Sequence, residues 1–134
     1  MTKVSFSYLI QVTGGPTFAR AFATNVDAYD KLELTLDPGA ADVVVDVQPG
    51  AASQVGLLAL SSSLNDDKVT YKVTDGVAAD KGPFTLDTPQ LFSGGAIAAI
   101  GVAPKTLKFS NAHPAGDPTK KATIEIFVGR DATP

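Results

Sequence analysis

"SSSLNDDKVTYKVTDGV", residues Ser61–Val77, carries the fold in miniature. Between two acidic knots, Asn65-Asp66-Asp67 and Asp75-Gly76, the residues Val69, Tyr71 and Val73 alternate with Thr70, Lys72 and Thr74. A period of two places the apolar three on one side of an extended chain and the polar three on the other, which marks a strand with one buried face. Asn, Asp and Gly at both ends supply the local hydrogen bonds and positive φ that chain reversals need, so the acids read as turn residues. A calcium loop would need acids at alternate positions, then Gly, then Glu, and Lys68 breaks that pattern. At about 3.3 Å per residue, a strand between the knots also holds them about 20 Å apart, too far to share one ion. Catalytic carboxylates, as in glycosidases, would have to converge from distant strands.

The same period recurs along most of the chain. Val4, Phe6, Tyr8, Ile10 and Val12 alternate with Ser5, Ser7, Leu9 and Gln11, and Gly14-Gly15-Pro16 ends the run. Phe18–Ala23 alternates again, close enough to pair with it as a hairpin. On this reading Phe6, Tyr8 and Ile10 enter the core together with Phe127 and with Ile124 or Ile126. Further strands are expected around Leu32–Leu36, Val43–Val47, Val55–Leu60 (apolar enough to be buried on both faces), Phe84–Leu86, Leu91-Phe92, Leu107–Phe109 and Thr123–Val128. Ile97–Val102 reads as a small strand with a short helix as its rival, and Asp27–Lys31 as a single helical turn. Eight to ten short strands joined by Gly, Pro, Asn and Asp turns define an all-β fold, an antiparallel β-sandwich or jelly roll. The 134 residues make one domain spanning 1–134, with 130–134 expected as a free tail.

Composition narrows the chemistry. With 44% hydrophobic and 19% charged residues the chain folds without staples, and with no cysteine it has neither disulfides nor thiolates. A net charge of −3 with scattered cations offers no face to nucleic acid. Ser5, Ser7 and Gln11 interrupt the first apolar run, so it reads as a strand and not as an export signal, and the protein is expected to be made in the cytoplasm. Ala96–Ala103 is too short to cross a bilayer, so no membrane partner is expected. His113, the single histidine, lies in the Pro- and Gly-rich "SNAHPAGDP" and belongs to a loop; a trimer gathering three copies on its axis is the only route to a zinc site through it. Gly94–Gly101, "GGAIAAIG", lacks the Lys and Ser/Thr of a phosphate loop. Asp87-Thr88-Pro89 has Pro where an aspartic protease turn has Gly. No Gly-x-Ser-x-Gly occurs. No residue is assigned as catalytic, cofactor-binding or metal-ligating, and no cofactor is expected. Tyr29, beside Asp27 and Asp30, is the candidate exposed ring.

In texture, with long strands and loops rich in Gly, Pro and Ala, the chain resembles small structural proteins of tailed-phage particles, such as capsid decoration (cement) proteins and tail components. The resemblance covers general character and rests on no diagnostic motif. It implies a non-enzymatic protein incorporated in a virion, whose partners are copies of itself and a larger assembly such as a capsid or tail. Edge-blunting charges and prolines are sparse in Met1–Val12 and Ala122–Val128. Those terminal strands are therefore expected to form the interface of a homo-oligomer, with a trimer favoured by analogy and well over about 1,000 Å² buried. The alternative is a carbohydrate- or small-ligand-binding sandwich module, and the third reading is an enzyme with acids drawn from distant strands.

Overall fold

The computed structural model describes residues 2–48, 55–77 and 79–131. Among the described residues ten strands run in chain order: β1 (Thr2–Gln11), β2 (Thr17–Val26), β3 (Ala28–Leu36), β4 (Val43–Asp46), β5 (Val55–Ser62), β6 (Val69–Thr74), β7 (Lys81–Thr85), β8 (Gln90–Ser93), β9 (Thr106–Asn111) and β10 (Ala122–Arg130). Eight of them form two four-stranded sheets, ordered β3-β10-β5-β8 and β4-β9-β6-β7, and every pairing is antiparallel. The order has a simple origin. β6 pairs with β7, β5 with β8, β4 with β9 and β3 with β10, so β3–β10 form one long hairpin. Rolled up, that hairpin brings β10 beside β5 and β9 beside β6 and closes a jelly roll.

The alternation read in the sequence sets the core. Ile124, Ile126 and Val128 of β10 meet Leu58 and Leu60 of β5 from one sheet, and Val69, Tyr71, Val73, Leu107 and Phe109 fill the space from the other. All are essentially inaccessible, so each contributes about 1.5–3 kcal/mol of apolar transfer. The Tyr71 ring lies tilted against Phe84 and Phe109, with its hydroxyl donating to Gln90 Oε1 at 2.5 Å. Asn111 is buried because its amide nitrogen donates to the carbonyls of Leu36 and Lys120, tying β9 to chain segments outside its own sheet.

Several expectations are corrected. Residues Ala28–Lys31 begin a strand and form no helical turn. Gly94–Ile100 is a 3-10 helix, not a strand: Ile97 and Ile100, three apart, both point inward, and Gly101 at φ 98° ends the helix in the left-handed region. β10 is an interior strand hydrogen-bonded on both sides, so Ala122–Val128 offers no edge. The edges are β3, β8, β4 and β7; β4 and β8 have four residues each, and β7 carries Pro83. Arg130, expected in a free tail, is the last residue of β10, and its guanidinium pairs with Asp30 and donates to the Val47 carbonyl at 3.2 Å. Residues 132–134 of that tail lie outside the described residues. The largest correction concerns β1 and β2. They pair only with each other, as a separate two-stranded arm. Phe6 is half-buried, and Tyr8 and Ile10 are exposed, so the three do not enter the core.

Candidate functional site

The arm is a regular hairpin. Val12 and Gly15 close its turn, where the Gly15 N–H donates to the Val12 carbonyl at 2.8 Å, and Gly14 takes φ 72°. Cross-strand partners share a face, so the register Phe6↔Phe22, Tyr8↔Arg20 and Ile10↔Phe18 gathers all the large rings on one side. The Phe6 and Phe22 rings lie 5.5 Å apart, and Tyr8 stacks on Phe18 at 5.7 Å. The guanidinium of Arg20 caps the outer ring, 4.8 Å above Phe18. The other face carries Ser5, Ser7, Ala19, Ala21 and Ala23. Ring contacts of this kind hold a hairpin together, yet Tyr8, Ile10, Phe18 and Phe22 remain 41%, 58%, 46% and 56% exposed.

One residue roots the arm. Val26, the last of β2, is 3% exposed and lies against Gly129 of β10, which Leu57 of β5 also flanks. A side-chain carbon on Gly129 would sit 2.9 Å from Val26 Cγ1 and 3.4 Å from Leu57 Cβ, so the glycine makes the seat. Of Val55–Leu60, Leu58 and Leu60 point into the core and Leu57 is buried beside Gly129, whereas Gly56 is exposed and Ala59 half-buried, so only part of the outer face is covered.

Beyond that root, the arm's aromatic face and the outer face of the β3-β10-β5-β8 sheet look at one another across open clefts. One, of about 400 Å³, has Tyr8 on one wall and Ala59, Leu91 and Phe127 on the other. The second, of about 640 Å³, runs from Phe6, Tyr8 and Phe22 to Gly56, Ser93 and Asp131. The outer sheet face is itself aromatic at its centre, where Tyr29 stacks on Phe127 at 5.8 Å. Tyr29 is exposed, as the sequence led one to expect.

The acidic knots and His113 have other work. Asp66 Oδ1 accepts from the Lys68 N–H at 2.9 Å and Asp75 Oδ1 from the Val77 N–H at 2.9 Å, both turn-forming bonds. Asp66 Oδ2 lies 2.8 Å from His113 Nε2, which pins the β5–β6 loop to the loop after β9. The Lys68 N–H holds the Asp66 carboxyl below its ordinary value; burial opposes it, and the hydrogen bond and charge of His113 add to the lowering. Burial pushes the Tyr71 hydroxyl up to about 12. Among the described residues no group of three or more His, Cys, Asp and Glu is placed to hold a metal ion, and no helix is long and apolar enough to cross a membrane. No profile of a known protein family, no curated protein and no solved structure matches the chain.

Proposed function

We propose that this protein is a non-enzymatic assembly component that acts through protein–protein contacts, of the kind found in virions as capsid decoration (cement) or tail-associated proteins. The observation that carries the reading is the exposed aromatic face of the arm. A two-stranded ribbon is marginal in water by itself, and exposed apolar patches of this extent mark interaction surfaces. The titratable groups best placed for chemistry serve the scaffold instead: Asp66 and His113 clasp two loops, and Tyr71 is buried against Gln90. The jelly roll does not decide the matter, since capsid, lectin and enzyme domains all use it. The virion assignment rests on the textural resemblance of the chain. The protein is expected to form a homo-oligomer, a trimer by analogy with particle surfaces, and to dock on a larger protein assembly. Light scattering across a hundredfold dilution tests the first part, and a clean monomer at every concentration overturns self-association. The competing reading, a sugar-binding module, has one observation in its favour, the exposed Tyr29 ring backed by Phe127. Retention on a glycan panel, lost in Tyr29→Ala, would move the assignment to that reading.

A further inference from the structure

We infer that the arm of one copy seats, aromatic face down, on the outer face of the β3-β10-β5-β8 sheet of a second copy. The inference rests on the self-assembly reading above and names the two surfaces that meet. The first ground is charge. Residues 2–26 contain Lys3 and Arg20 and no acid, which leaves nine basic and fourteen acidic residues elsewhere, a net of −5. Arg20 lies on the aromatic face of the arm, opposite Tyr8.

The second ground is a mismatch on the receiving sheet. Glu33 of β3 and Glu125 of β10 stand directly opposite one another on its outer face, an arrangement that repels. The other sheet has the same problem with the opposite sign, because Lys72 faces Lys108. There it is resolved: Lys72 pairs with Asp42 at 3.3 Å and Lys108 with Asp80 at 2.9 Å. Among the described residues no Lys or Arg pairs with Glu33 or Glu125. One outer face has its like charges paired, whereas the other presents Glu33 and Glu125 without an ion pair, with Lys31 opposite Phe127 on the same face, beside a Tyr29–Phe127 stack that Tyr8 faces across an open cleft. An arm seated there brings rings to the stack and a guanidinium toward the carboxylates.

Area is the third ground. Ten residues per strand make the arm about 34 Å long, and two strands make it about 10 Å wide, so an arm seated along its length covers at most about 340 Å² on each partner. Reciprocal exchange of two arms then buries at most about 1,400 Å², inside the range of specific interfaces. Within one copy the arm is fixed at Val26, and its outer half, from Leu9 to Phe18, keeps its apolar residues in water.

The absence of cysteine makes the test direct. Tyr8 and Leu91 border the same cleft. A tagged Tyr8→Cys chain is co-expressed with an untagged Leu91→Cys chain and the pair is oxidised. A mixed disulfide between the two chains supports the inference. Its absence overturns it, whether the double variant Tyr8→Cys/Leu91→Cys closes within one chain or forms no disulfide at all. Light scattering on the unmodified protein separates the two levels. An oligomer without the mixed disulfide leaves the assembly reading standing and removes arm exchange, whereas a monomer at all concentrations removes self-association itself. Arg20→Glu, at an exposed position, is expected to raise the concentration at half-dissociation about tenfold, and adding Glu125→Arg to recover most of that loss. Equal dissociation of Arg20→Glu and the unmodified protein would also count against the proposal.

Discussion

Replacing Gly129 by alanine tests whether the arm is truly rooted on the sandwich. A methyl group there would stand 2.9 Å from Val26 Cγ1, a separation that carbon atoms do not tolerate, and 3.4 Å from Leu57 Cβ. Val26 is β-branched and stiff at χ1, so it has to move as a unit. Forced overpacking of this kind costs about 1–3 kcal/mol, and lifting Val26 off its seat forfeits part of the about 1.5–3 kcal/mol that burying a valine contributes. Against this, alanine in a strand recovers about 0.5–1 kcal/mol of backbone entropy relative to glycine. The net expectation is a loss of about 1–2 kcal/mol. Gly56 of the neighbouring β5 is the control, because a methyl group there meets nothing within 4 Å. Gly56→Ala should therefore be neutral or slightly stabilising. Urea unfolding of the two variants beside the parent protein measures both effects. If Gly129→Ala proves as stable as Gly56→Ala, Val26 is not seated on Gly129 and the rooted arm is wrong.

Phe109→Ala should cost about 3–5 kcal/mol, since the ring is fully buried between the sheets, whereas Phe6→Ala, on the arm, should cost under about 1 kcal/mol. Equal losses in urea melts would return β1 to the core. Asp66→Ala should cost about 1 kcal/mol at neutral pH through its bonds to Lys68 and His113. Because the folded carboxyl sits below its unfolded value of 3.8, that contribution is present above 3.8 and is lost as pH falls through the lower folded value. The gap between parent and variant should hold at about pH 5 and close in stronger acid, and a gap that instead widens there would refute the sign.

How far the sequence could be read depended on what kind of information each feature needs. Val69, Tyr71 and Val73 were legible because a period of two is a local property, and their burial followed from it. Val4–Val12 carries the same period, yet β1 lies outside the core, because a pattern records that a face is apolar and not which surface covers it. A sign was present in the composition: the first twenty-six residues contain no acid. In Gly94–Gly101 the spacing of three between Ile97 and Ile100 was readable as helical, but β-branched residues between glycines favoured a strand. The pairing of Arg130 with Ala28 lies beyond any local signal, since it joins positions about a hundred residues apart. The root of the arm was equally hidden, because Gly129 reads as a weak point of a strand until Val26 is found above it.

The nesting of the strands bears on how the molecule is made. β10 lies in the interior of its sheet with β3 on one side and β5 on the other, and it leaves the ribosome after the other nine strands. Until residues 122–130 emerge, β3 has no partner and that sheet cannot close. Pairings of such long range are the slow steps of folding. The hairpin of β1 and β2 is the reverse case: it is complete after twenty-six residues and able to form within about 1–10 μs. The arm can therefore begin to pair long before the sheet over which it lies is closed, although a lone two-stranded ribbon is marginal in water. Over that interval the emerged arm carries two cations, Lys3 and Arg20, and no acid, so copies of it repel rather than attract one another electrostatically.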